Sequence, residues 1–312
     1  MRGFCQGLLR GAVLVGLTLG LSGCGEPLFP YREEAFYEVD PRLIGYVEQG
    51  AWPVSVPLPA FVAIGADDRV VVAGGTQGAV LGPQGVVQRT FAWPEGVASA
   101  VTVAPDGTIF VGAGNRVVAI DRASQAMTWE ALGEQAQITG LAADSNQLWV
   151  CDAAQRLVWR LDHEGRLLGR VPAPGAPQEQ SFVVPSPVFA VAAATQGSFW
   201  VVNPGRTQLQ RHAADGRLLA AWSSPGMLTP AFAGCCNPAY LAVLANGDLV
   251  TSEKKISRVK IYAPDGILRC VVVPPAALAG EEARPVAVDQ AGRVFVLDGT
   301  RLRIFEPKAT KH

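Results

Sequence analysis

Residues 286–298 read Val286-Ala287-Val288-Asp289-Gln290-Ala291-Gly292-Arg293-Val294-Phe295-Val296-Leu297-Asp298. Two short apolar runs flank a polar turn that closes on Gly292. Both runs are too short for a helix, and neither alternates with polar residues, the pattern of a strand covered on both faces. The glycine accepts the left-handed backbone that closes such a turn. Outward from this stretch the same unit recurs. Its second run begins near Arg69, Thr108, Gln147, Ser198, Asp248 and Arg293, at successive spacings of 39, 39, 51, 50 and 45 residues. The turns before these runs carry Asp67-Asp68, Asp106-Gly107, Ser145-Asn146, Gln196-Gly197, Asn246-Gly247 and Ala291-Gly292.

A third run follows in most units, at residues 116–120, 156–161, 208–212, 258–262 and 301–305. Three of these close on a second turn, at Glu164-Gly165, Asp215-Gly216 and Asp265-Gly266. Four strands in about 40 residues, repeated six times, predict an all-β, six-bladed β-propeller of four-stranded antiparallel blades. Blade one is degraded after Gly74, and blade two lacks its second Asp-Gly turn. Residues 276–282 are the best candidate for a helical turn. The sixth unit stops after its third run, so the strand-like residues 43–48 are expected to supply its outer strand and remove the exposed sheet edges. The propeller is therefore assigned to residues 43–307, with a disordered tail at 308–312.

The repeats resemble those of NHL-repeat propellers, most clearly at 286–298. Blade five carries Gly234-Cys235-Cys236-Asn237-Pro238, then Thr251-Ser252-Glu253-Lys254 and Arg258-Val259-Lys260-Ile261-Tyr262. This is similar to a bacterial subgroup with a GCCNP and TSEK signature. The resemblance implies the fold and no particular activity.

The chain opens with Arg2 and Arg10 around an apolar run to Leu21, a secretory pattern too short to span a bilayer comfortably. Leu21-Ser22-Gly23-Cys24 resembles the lipobox of bacterial lipoproteins, which implies cleavage after residue 23 and lipidation of Cys24. Several acyl chains on one residue anchor a protein without a helix. Residues 24–42 would form the tether, with the propeller in the extracytoplasmic cell envelope. Gly25, in place of Asp, favours the outer membrane. Without Arg2 and Arg10 the chain carries 24 basic and 27 acidic residues, a net charge of −3, which argues against nucleic acid as a partner. The 34 Gly and 23 Pro are spread between strands, as turns require.

The longer steps insert residues 172–187, 223–238 and 274–284 between blades, all on one face. Loops longer than a connection needs are often functional. That face is the expected binding face, with Asp152, Asn203, Cys235, Cys236, Asn237, Glu253, Lys254, Arg258 and Asp298 as candidates, and Arg206 and Lys255 beside them. Its partner would be an envelope protein or a small ligand. An alternative is that these loops only cover the core. Cys235-Cys236 allows a vicinal disulfide in an oxidising compartment; alternatively one of them pairs with Cys151 or Cys270.

No catalytic residue is nominated. The first strands of the blades carry no carboxylate before Asp289, unlike the metal-dependent lactonases of this fold class. A zinc lyase would draw on several histidines, whereas His163, His212 and His312 read as solvated. No metal or other cofactor is called for. Glu253 with Lys254 is the best charged pair, read as a surface or blade-locking ion pair rather than an acid–base couple. The alternatives to a binding propeller are a lactonase-like hydrolase or lyase, or an accessory to an envelope redox complex through Cys235-Cys236.

Overall fold

The computed structural model describes residues 33–309. The signal segment, Cys24, Gly25 and the start of the tether lie outside those residues, as does His312. The described chain forms six four-stranded antiparallel sheets. Their second strands are Val70–Gly74, Ile109–Ala113, Leu148–Asp152, Phe199–Asn203, Leu249–Glu253 and Val294–Asp298. All are buried along their length except at Asp298. Each starts one residue later than the sequence pattern suggests. In five blades the preceding residue gives its backbone N–H to a turn side chain, as Thr108 does to Asp106 and Arg293 to Asp289, so the sheet ladder begins one residue on.

The first strands, Pro59–Ile64, Ala98–Val103, Ile138–Ala143, Val191–Ala193, Tyr240–Val243 and Val286–Val288, neighbour one another in a closed ring. The core is divided: each of six apolar clusters straddles two adjacent blades. Bulky residues near the ends of the outer strands knit the blades. Trp52, Trp129, Val171 and Trp222 lie against Gly85, Gly165, Gly216 and Gly266 of the next blade's outer turn, where an added Cβ would approach within 2.6–2.8 Å. Hence glycine recurs at that turn even where the rest of the motif has drifted.

Blade one is complete, contrary to the sequence expectation, with third and fourth strands Gln77–Leu81 and Val87–Ala92. A short 3-10 turn, Pro83–Gly85, does the work of an Asp-Gly pair there. In blade two the outer turn is organised by Asp121, whose carboxylate accepts the N–H of Ala123 and Gln125, both at 2.8 Å. It leads to an outer strand of three residues, Ala126–Thr128. The helical turn expected at 276–282 is a single 3-10 turn, Pro275–Ala277.

The ring closes as expected, with a shifted boundary. Tyr46–Pro53 pairs antiparallel with Arg301–Pro307, Glu48 opposite Phe305, and a bulge between Glu48 and Gly50. Residues 41–43 form a 3-10 turn capped by Asp40 rather than strand. Arg303, largely buried, binds Glu48 at 2.7 Å across the closing pair.

Candidate functional site

Four candidates occupy one repeated position. Asp152, Asn203, Glu253 and Asp298 each end the second strand of their blade, where blades one and two have Gly74 and Ala113. Asp152, Asn203 and Asp298 each reach the loop that enters their own blade, and Glu253 does so through two cations. The Asp152 carboxylate accepts the N–H of Gln137 at 3.0 Å and the Nε1–H of Trp159 at 3.2 Å. Asn203 accepts the N–H of Val183 at 2.8 Å and donates to Ser181 O at 3.1 Å. Asp298 holds Arg284 at 2.7 Å and Arg303 at 3.4 Å, and Arg284 donates to the carbonyl of Glu282. Asn203 and Asp298 brace long loops, Asp152 braces the shorter loop before blade three, and Asp152, Asn203 and Glu253 are fully buried. A buried carboxylate or amide with its partners supplied is a fixture of the fold, not a free contact for a ligand. Nearby, Arg206 donates to Gln178 O at 3.0 Å and so tethers the loop before blade four.

Blade five extends the device. Glu253 pairs with Lys260 at 2.6 Å and with Arg258 at 3.1 Å, and all three side chains are inaccessible to solvent. The expected partner, Lys254, instead donates to Ser186 Oγ at 3.1 Å. The strand ends at Glu253, which meets its cross-strand neighbour Arg258, whereas Lys254 begins the turn that follows and its side chain leaves for the loop before blade four. The two cations also hold loop carbonyls. Arg258 donates to Ala231 O at 2.7 Å, Lys260 to Thr229 O at 2.9 Å and Ala231 O at 2.7 Å, and Tyr262 to Pro230 O at 3.1 Å. Lys260 also lies 5.0 Å from the ring centres of Phe232 and Tyr262. Burial pulls the Lys260 ammonium down to about 7, against the opposing pull of Glu253. The roles of Lys260 and Tyr262 were not anticipated. Their signal lay in the strand itself: Arg258, Lys260 and Tyr262 alternate with Val259 and Ile261, a polar row on one face.

The same loop is tied a second time. Asn237, buried, donates to Ala233 O at 2.6 Å and Lys254 O at 2.9 Å, and accepts the Lys254 N–H at 2.9 Å. Between Ala233 and Asn237 the tip carries Cys235, exposed, and Cys236, half-buried. Their sulfurs are 3.6 Å apart and unbonded. Cys151 and Cys270 are also free thiols. Burial pushes the Cys151 thiol well up, and that of Cys270 to about 11.

The central channel is lined by Val62, Val101, Leu141, Val191, Leu241 and Val286 and their neighbours along each first strand. Thr139 and Tyr240 bring polar groups to its mouth, and Thr139 is bonded to Phe189 O at 2.9 Å. Burial pushes the Tyr240 phenol up. Among the described residues no three His, Cys, Asp or Glu side chains gather as a metal site would require. His212 is not solvated as the sequence suggested. It is buried, with Nδ1 3.0 Å from Gly216 O and Nε2 3.1 Å from Gln210, stacked on Phe199 at 5.4 Å. The strand's inward face carries it into the junction with blade three. His163 is half-buried, its ring 5.4 Å from that of Phe110. On the side of the ring opposite the long loops, clefts of about 270 Å³ and 520 Å³ flank blade one.

The chain is a six-bladed β-propeller. No known protein family matches it, and no curated protein does. Solved structures do. A virginiamycin B lyase from Staphylococcus aureus, determined with quinupristin, is 14% identical with a TM-score of 0.58, covering 80% of each chain. The WD40 propeller domain of Doa1 is 14% identical with a TM-score of 0.58, over 81% of this chain and 80% of that one. A streptogramin B lyase is 10% identical with a TM-score of 0.54, over 85% of this chain and 98% of its own. At these identities the likeness concerns the fold.

Proposed function

We propose that this propeller is a non-catalytic binding module of the bacterial cell envelope, resembling NHL-repeat proteins and held at a membrane through lipid on Cys24. It would dock an envelope protein or a small ligand on the rim formed by the long loops before blades four to six. One observation carries this reading: blade five buries three charges to hold residues 228–231 in place. Burying an ion pair rarely gains stability over apolar packing. What the network does deliver is a loop of defined shape, beside a tip bearing exposed Cys235 and half-buried Cys236.

The test combines address and contact. Cys24→Ser should shift the protein from membrane to soluble fractions. A photo-crosslinker at Leu228 or Lys255 should give one discrete adduct in cells, and none from Leu219 or Ile267. Membrane retention of the Cys24 variant would overturn the anchor. Equal adducts from all four positions would overturn the docking rim.

The enzymatic alternative is a lyase or hydrolase like those among the structural neighbours. Against it stands the channel, whose wall offers valine, alanine and leucine where acid–base groups would sit. The adjacent thiols favour a second reading, an accessory to an envelope redox complex in which Cys235 and Cys236 cycle through a vicinal disulfide. Thiol counting before and after reduction of protein from the envelope tests it: two additional thiols on reduction support it, and none refutes it.

A further inference from the structure

The outer turn of blade two departs from the repeat, and the departure opens a cleft. At four other junctions a glycine of the outer turn seats a bulky residue of the preceding blade. Blade two has Asp121 to Gln125 there, without glycine, and its contacts to blade one are polar: Ser124 donates to Thr90 O at 3.2 Å, and Arg89 to Asp121 O at 2.7 Å. The space left is about 270 Å³, floored by Val71, Val80, Val103 and Ile109. Arg69, Arg89 and Arg122 stand around it.

The charges are held in position. Arg122 donates from Nε to Asp106 O at 2.7 Å and lies across Gly107, where a Cβ would come within 2.9 Å of that nitrogen. Arg89 and Arg122 each use one N–H on a backbone carbonyl. A guanidinium has five, and among the described residues the others meet no protein acceptor. Arg69 is different, because its Nε is bound to Asp67 at 2.6 Å and neutralised. The two nearby carboxylates are turned to their own turns: Asp106 accepts the Thr108 N–H at 2.9 Å, and Asp121 those of Ala123 and Gln125. Two oriented, unneutralised guanidinium forks above an apolar floor make a complementary surface for a flat or tetrahedral anion.

We propose that the cleft between blades one and two is a binding site for a small organic anion, a carboxylate or phosphate carried on an apolar body. The anionic group would sit between Arg89 and Arg122, with the body on Val71, Val80 and Val103. The volume lies just below the range of pockets for drug-sized ligands, so the ligand is small, of the order of one ring. The site lies opposite the long-loop rim and stands independently of the function proposed above.

Phenyl phosphate, titrated calorimetrically into the purified protein with benzyl alcohol as the neutral control, tests it. Saturable one-to-one binding of phenyl phosphate is expected, with benzyl alcohol at least about tenfold weaker. Arg89→Gln and Arg122→Gln should each weaken binding by about tenfold, the equivalent of 1.4 kcal/mol. Val103→Phe, which fills the floor, should abolish it, and Lys254→Ala on the other face should leave it unchanged. Absence of saturable binding would overturn the proposal, as would Arg89→Gln and Arg122→Gln variants of unchanged melting temperature that bind within about twofold of wild type.

Discussion

Replacing Glu253 by Gln tests the buried charge network most directly. The substitution conserves volume and removes one charge, leaving Arg258 and Lys260 facing each other with no solvent access. Removing one member of a buried ion pair costs about 3–5 kcal/mol. For a domain of this size that corresponds to a fall in Tm of about 6–20 °C. The cost depends on pH, because Lys260 can shed its proton. Its folded pKa, about 7, lies below its value in the unfolded chain, and loss of the Glu253 carboxylate would lower it further. Near pH 5, below the wild-type value, the wild-type lysine is charged and the penalty for removing its partner is largest. Near pH 9 it is neutral in both, and only the Arg258 share remains. The difference is about 1.4 kcal/mol for each unit by which the variant lowers that pKa. Urea unfolding at both pH values, followed by tryptophan fluorescence, measures it. A loss under about 1 kcal/mol at pH 5, the range of exposed ion pairs, would refute the reasoning. The apolar replacement, Glu253→Leu with Arg258→Met and Lys260→Met, should stay near wild-type stability while hydrogen exchange at residues 228–231 quickens. Unchanged exchange there would mean that the charges do not hold the loop.

In the wild type, the unfolded chain binds the Lys260 proton up to about pH 10 and the folded chain only to about 7, so stability should rise with pH across that window; Lys260→Met should flatten the rise. His212 is held below its ordinary value by burial, so stability should fall as pH drops below about 6.5, where the unfolded imidazole takes a proton first; His212→Gln should lack that slope in urea titrations. Trp222→Ala should cost about 3–5 kcal/mol by emptying the seat against Gly266, and a loss below about 1 kcal/mol would deny the knitting role of the outer strands. Deletion through Gly45 should leave a folded ring, whereas deletion through Pro53 bares the edge of Arg301–Pro307 and should give aggregates by size-exclusion chromatography.

Much of the architecture could be read from local pattern. A strand buried on both faces must be continuously apolar, and a tight turn needs Gly, Asn or Asp, so six copies of run, turn and run announced six blades. The unfinished sixth unit announced its own completion by the N-terminal strand. Blade one escaped because Pro83–Gly85 makes its outer turn without the expected residues. Blade two's irregular turn was visible in the sequence, but the cleft it opens was not, since a cleft depends on what the neighbouring blade puts opposite.

The candidate residues divide the same way. That Asp152, Asn203, Glu253 and Asp298 share one repeat position was a matter of counting. That three of them are buried braces was not, because loops of different length return to the same place only in three dimensions. Likewise the chain's order pairs Glu253 with Lys254, whereas Lys254 lies in the turn after the strand and reaches Ser186, and strand pairing sets Arg258 and Lys260 beside Glu253. Sequence periodicity therefore determined the blades and their number, since these rest on contacts between near neighbours along the chain; the unfinished sixth unit foretold the closure, although its two strands come from opposite ends of the described chain. The pairing of Glu253 with Arg258 and Lys260, close in sequence, was decided by strand register; burial and the opening between blades were decided only by the closed ring, because they arise from groups distant in sequence meeting where water is excluded.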